Sequence, residues 1–154
     1  MAFNQRQAVT RLSPVILNSI EQVAASTIRL DHDRTAQAVA DLSRLFTKDR
    51  ASLRSDYLDH PGYAAAYLKY FLPVNLSKIQ VLLDEMPQGW PDQGPDRPIR
   101  ILDVGSGPGA GALAVLDWFQ QHWPDRIRAL SVVAIDVSAE ALKQARQLWD
   151  TYSR

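Results

Sequence analysis

Two acids and a run of glycines carry most of the chemistry that can be read in this sequence. Asp103-Val104-Gly105-Ser106-Gly107-Pro108-Gly109-Ala110-Gly111 follows a short apolar run, Ile99 to Val104, and precedes a stretch with helical spacing, Leu113 to Gln121. Glycine lets the main chain turn tightly and lets a ligand approach the backbone, and the helix that follows offers free N–H groups at its start. The pattern predicts a strand, a ligand-binding turn and a helix, with a nucleotide-like ligand. Asp136 closes a second apolar run, Ser131 to Ile135, and stands 31 residues after Gly105. An acid at that place accepts hydrogen bonds from both hydroxyls of a ribose.

The residue types around the turn discriminate between ligands. No Gly-Lys-Ser/Thr follows the glycines, so there is no lysine to reach a terminal phosphate, and ATP or GTP hydrolysis is set aside. The string GSGPGA satisfies the dinucleotide spacing G-x-G-x-x-G/A, which keeps NAD open, and turns of this kind also arise for structural reasons alone. Asp103 lies two residues before the first glycine, where a carboxylate repels a pyrophosphate but suits a ligand bearing an ammonium and a sulfonium. That favours S-adenosyl-L-methionine over NAD.

The elements that must position these residues fall into two segments. Residues 1–86 read as all-helical. Ser13-Pro14 is a helix start, followed by Leu17, Ile20, Ala24 and Ile28 at helical offsets. A second helix is expected from about Arg34 to Phe46, with Val39, Leu42 and Phe46 on one face. Tyr63, Tyr67 and Tyr70 recur at helical spacing, and a separate helix beyond Pro73 groups Leu76, Ile79, Leu83 and Met86. Residues 87–98 (PQGWPDQGPDRP) hold four prolines and two glycines in twelve positions, which reads as a linker and domain boundary. Residues 99–154 then read as β-α-β-α, with Ser138 capping a helix over Ala139 to Trp149. Two strands joined by a helical crossover are expected to be parallel, which places the fold in the α/β class.

Composition sets the remaining bounds. The chain has 154 residues, 46% apolar and 22% charged, which suits a soluble globular domain. No apolar run approaches the roughly 20 residues of a membrane span, and the start MAFNQRQAVTRL lacks a secretory apolar block, so a cytoplasmic protein is expected. Seventeen basic residues balance seventeen acidic ones, without the basic surplus that tight RNA binding usually needs. Cysteine is absent, and His32, His60 and His122 form no ligand pattern, so no metal site is expected. Tyr63, Tyr67 and Tyr70 read as core first and as a lid or base-stacking surface second, with Tyr70 and Asn75 the two candidates for that role. Trp90, Trp118, Trp123 and Trp149 read as packing or interface residues.

ILDVGSGPGAG followed by VVAIDVSAEALKQA resembles the first two cofactor motifs of class I S-adenosylmethionine-dependent methyltransferases. The upstream stretch Tyr57-Leu58, Ala65-Ala66-Tyr67-Leu68, Tyr70 and Pro73-Val74-Asn75 resembles more specifically the small-ribosomal-subunit methyltransferase-like family of bacteria and mitochondria. The resemblance covers roughly residues 55 to 149 and implies the opening β-α-β-α of a Rossmann-like methyltransferase sheet. It implies that Asp103, Gly105, Ser106, Gly107 and Gly109 line the methionine and ribose end of the cofactor. Asp136 would hold the ribose diol and Val137 would touch the adenine. The implied activity is rRNA methylation or a role in small-subunit assembly, with a further cysteine-rich cluster site that this cysteine-free chain does not supply.

A class I methyltransferase sheet has seven strands, and the substrate motif follows the fourth. Two strands are expected here, so the chain reads as a fragment, inactive alone, whose sheet is completed by a missing C-terminal half or a second chain. Two other functions stand beside the enzyme fragment. One is a non-catalytic S-adenosylmethionine-binding module acting in ribosome assembly. The other is an NAD-dependent oxidoreductase fragment, which the glycine spacing permits. No catalytic residue is named, because methyl transfer from a sulfonium mainly requires the nucleophile to be positioned in line.

Overall fold

The computed structural model describes residues 12–27, 31–54, 56–86 and 98–153. The readings made for Ile28, Ser55, Trp90 and the linker up to Arg97 lie outside them.

Helix α1 spans Pro14–Thr27, and its first turn is capped as expected: the Ser13 hydroxyl accepts the N–H of Ile16 at 3.2 Å. Its buried stripe is Ile16, Ile20, Val23 and Ala24, whereas Leu17 is 45% exposed. The expected stripe was therefore rotated by one residue at its start. Helix α2 runs His32–Thr47 and begins two residues earlier than expected, because the Asp31 carboxylate accepts the N–H of Arg34 at 2.8 Å and caps it.

Helix α3, Pro61–Ala66, starts under a His60 cap. It passes directly into a π-turn over Tyr67–Phe71 and then into α4, Leu72–Asp84. A separate helix beyond Pro73 is thus corrected to one continuous rod. Pro73 lacks the N–H that would bond one turn back, and the wider turn just before it lets the helix continue through that gap. Leu76 is buried in this rod, while Met86 lies past its end and is exposed.

The second segment has the expected order. Strand β1 (Ile99–Val104) leads to α5 (Ala110–His122), then through a 3₁₀ turn (Pro124–Ala129) to β2 (Leu130–Ile135) and α6 (Ala139–Tyr152). The strands pair in parallel from Ile99 opposite Leu130 to Val104 opposite Ile135. Among the described residues the sheet has these two strands, so the chain is a helix-rich α/β structure with a small parallel sheet. Ile99, Ile101 and Leu130 pack beneath Val115, Trp118 and Phe119 of α5. The opposite face is bare, with Leu102 and Val104 at 64% and 68% exposure beside the exposed Val133 and Ile135. Parallel sheets are usually covered on both faces, so this one ends in an apolar surface.

The two segments share one core. Ile16 and Ile20 of α1, Leu68 of the π-turn, Leu72 and Leu76 of α4, Leu113 of α5 and Leu148 of α6 form a single buried cluster. Through it runs a polar hub. Asp117 on α5 is fully buried and accepts hydrogen bonds from the Ser13 hydroxyl and from Ser13 N–H at 3.2 Å. It also accepts from the amides of Gln80 and Gln121, both at 2.9 Å, and from the Tyr152 hydroxyl at 3.0 Å. Burial, followed by the Asp117 carboxylate, pushes the Tyr152 hydroxyl above its ordinary value, which keeps it a donor. Removing the acceptor strands several buried donors at once, so Asp117→Ala should lower the unfolding free energy by about 3 kcal/mol in urea denaturation. A loss below about 1 kcal/mol would show that the hub is dispensable.

Candidate functional site

At the C-terminal end of β1 the chain reverses through Gly105, Gly107 and Gly109, with φ of +68°, +53° and +87°. These left-handed values suit glycine and strain other residues, so the alternation of glycine with Ser106 and Pro108 is dictated by the backbone path. The turn is tied to β2. Gly105 and Ser106 donate their N–H groups to the Ile135 carbonyl at 2.8 and 3.1 Å, and Gly109 and Ala110 donate to the Ser106 carbonyl at 2.9 and 3.3 Å.

Each expected acid stands at the end of its strand. Asp136 accepts the Gly107 N–H on Oδ2 at 2.8 Å and the Ser138 N–H on Oδ1 at 2.9 Å. It therefore holds both the glycine turn and the start of α6, which Ser138 caps by accepting the Ala141 N–H at 3.1 Å. Each carboxylate oxygen keeps further acceptor capacity for a ligand hydroxyl. Val137 beside it is 86% exposed. Asp103 reaches over the start of α5, where its Oδ2 accepts the Ala112 N–H at 2.9 Å. That approach is possible because residue 111 is glycine. A Cβ there would lie 2.7 Å from the Asp103 carboxylate oxygen.

The helical segment supplies the other wall of a cleft of about 290 Å³ that Asp103, Gly105 and Ser106 line. Tyr67, Asn75 and Lys78 line it from above. Asn75 donates its side-chain N–H to the Tyr67 hydroxyl at 3.4 Å. Burial raises the Tyr67 hydroxyl above its ordinary value; the Asn75 bond opposes this and the Asp136 and Asp103 carboxylates add to it. Tyr67 thus lines the cleft with Asp103 as a neutral hydroxyl. Tyr57, raised by burial and then by Tyr67 and Asp136, packs beside it at 6.4 Å between ring centres.

Of the two helical candidates, Asn75 lies at the cleft, and Tyr70 lies outside its lining, half-exposed and edge-on to Phe71 at 5.1 Å. The π-turn accounts for this. In the wider turn Phe71 comes back to stack on Tyr67 at 5.8 Å, and Tyr70 just before it swings outward. Lys78 is an addition to the sequence reading, and Tyr67, read as core first and lid second, lines the cleft. The spacing of Lys78 from Asn75, three residues on one helix, was the available signal.

Two of the histidines and three of the tryptophans have capping or packing partners. His60 caps α3, and His122 stacks on Trp118 with ring centres 4.6 Å apart. The Trp118 indole donates to Asp84 at 2.6 Å, while Trp123 and Trp149 pack at the edges of the core. Among the described residues no three His, Asp or Glu side chains are placed to hold a metal ion, and no helix is long and apolar enough to cross a membrane. No protein-family model, no curated protein and no solved structure matches the chain.

The contact between residue 111 and Asp103 gives a sign-reversing test. Gly111→Ala should destabilise the native chain by about 1–2 kcal/mol, because the added methyl displaces the Asp103 carboxylate. In an Asp103→Ala background the same substitution should stabilise by about 0.5–1 kcal/mol through helix propensity. Urea midpoints of the four proteins check this, and equal effects in both backgrounds would contradict the geometry.

Proposed function

We propose that the chain binds S-adenosyl-L-methionine and is the cofactor-binding portion of a Rossmann-like methyltransferase acting on rRNA or in small-subunit assembly. The observation that carries the reading is the placing of opposite charges across one cleft. Asp103 lines it beside the glycine turn and Lys78 lines it from α4. A zwitterionic amino-acid group fits between such charges, with its ammonium toward the acid and its carboxylate toward the lysine. The turn itself favours this ligand over a dinucleotide. The N–H groups of Gly105, Ser106, Gly107, Gly109 and Ala110 are bonded within the protein, and the Asp103 carboxylate occupies the start of α5, where a pyrophosphate would sit. NAD, kept open by glycine spacing, is the weaker candidate.

On this reading Asp136 accepts the ribose hydroxyls, Val137 lies against the adenine, and Gly105, Ser106, Gly107 and Gly109 let the ligand come close to the main chain. Tyr67 and Asn75 close the cleft above. The bound cofactor would supply an activated methyl group. The protein's part is to orient it and exclude water. The bare apolar face of Leu102, Val104, Val133 and Ile135 favours a second reading for the chain by itself: a non-catalytic module whose sheet further polypeptide covers.

Calorimetric titration with S-adenosylhomocysteine tests the proposal. Binding should appear for the native chain and not with NAD. Asp136→Ala should weaken it by about one to two decades, the worth of a charge-assisted hydrogen bond of roughly 1.5–3 kcal/mol. Absence of binding, or binding of NAD alone, would overturn the reading. Lys78→Met should weaken S-adenosylhomocysteine about tenfold and leave methylthioadenosine, which lacks the amino-acid end, unchanged.

A further inference from the structure

A second and larger cleft, of about 530 Å³, opens between the C-terminal end of α1, the start of α3 and the first half of α6. It shares no lining residue with the glycine cleft. Leu58 and Ala64 give it an apolar floor, and Asp59, Lys143 and Gln144 give it polar groups. Gln144 is the unusual one. It is 1% exposed, and neither its Oε1 nor its Nε2 has a hydrogen-bond partner among the described residues. Of the buried polar side chains, Ser19, Gln80, Ser106, Asp117 and Ser138 each have at least one polar atom bonded. A buried amide with both ends unpaired is destabilising, which marks it as a group whose partner comes from elsewhere.

We infer that this cleft is a binding site for an aminated nucleobase of the adenine type, separate from the glycine cleft, with Gln144 reading the base edge. The side-chain amide offers an acceptor next to a donor. Its complement is a planar edge with an amine beside a ring nitrogen, the pairing that glutamine makes with adenine. Asp59 adds an acceptor for the second amine hydrogen. Its Oδ1 accepts the Ser138 hydroxyl at 3.4 Å, and its other oxygen has no side-chain partner among the described residues. Among the described lining residues Lys143 is the one cation, and it is paired with Glu140 at 3.2 Å beside the acid Asp59, so a neutral base fits the cleft better than a nucleotide's phosphate end. Gln144 lines the cleft together with the exposed Lys143 and Gln147 of the same helix.

The test is an NMR titration of the full chain with adenosine, reading the Gln144 side-chain amide. That resonance should shift and saturate, and purine riboside, which lacks the amine, should bind at least tenfold more weakly. Gln144→Leu should fold with a raised melting temperature, because it removes an unpaired buried amide, and should lose adenosine binding at least tenfold. Saturating S-adenosylhomocysteine should leave the adenosine response in place. An unmoved Gln144 resonance, a Gln144→Leu protein that binds adenosine as the native chain does, or displacement by S-adenosylhomocysteine would each overturn the inference.

Discussion

A single buried carboxylate holds the molecule in register. Asp117 gathers Ser13 at the entry to α1, Gln80 on α4, Gln121 on its own helix and Tyr152 at the end of α6. A charge placed there without donors would be strongly unfavourable, so the four elements can pack only in the arrangement that supplies them. The consequence reaches the cleft. Gln80 lies two residues beyond Lys78 on the same rod that carries Tyr67 and Asn75, so anchoring Gln80 fixes those side chains above the glycine turn.

The glycine turn beside the cleft is built by the same economy of parts. Asp136 bonds the turn through Gly107 and starts α6 through Ser138, and Asp103 bonds the start of α5 through the space that Gly111 leaves. Both acids have structural work that does not depend on a ligand, and both keep lone pairs for one. Structure and binding are therefore compatible roles for the same atoms. The distinction between them rests on what the cleft's other wall offers, where Lys78 adds charge of the opposite sign.

The strand-turn-helix units were legible because their signals are local. Ile99 to Val104 and Ser131 to Ile135 are short apolar runs, the glycines mark a backbone that only they adopt easily, and Ser13 and Ser138 cap the helices that follow them. The misread features depend on distant partners. Leu17 and Ile16 are adjacent and both apolar, and their roles are decided by where α6 and α4 pack. The π-turn rotates Tyr70 out of the position that helical spacing assigns it, and Tyr67 lines the cleft. Asp117 stands in a helical run as an ordinary polar residue, since its donors come from positions as far away as Ser13.

The glycine turn and its two acids are proposed to bind the amino-acid and ribose end of S-adenosylmethionine. The most direct measurement is the amide NMR spectrum of the chain during titration with S-adenosylhomocysteine. Saturable shifts are expected at Gly105, Ser106, Gly107 and Val137, where the turn and the end of β2 would meet the ligand, together with the Asn75 side-chain amide above them. Shifts confined to other parts of the chain, or a spectrum that moves with NAD and not with S-adenosylhomocysteine, would contradict it.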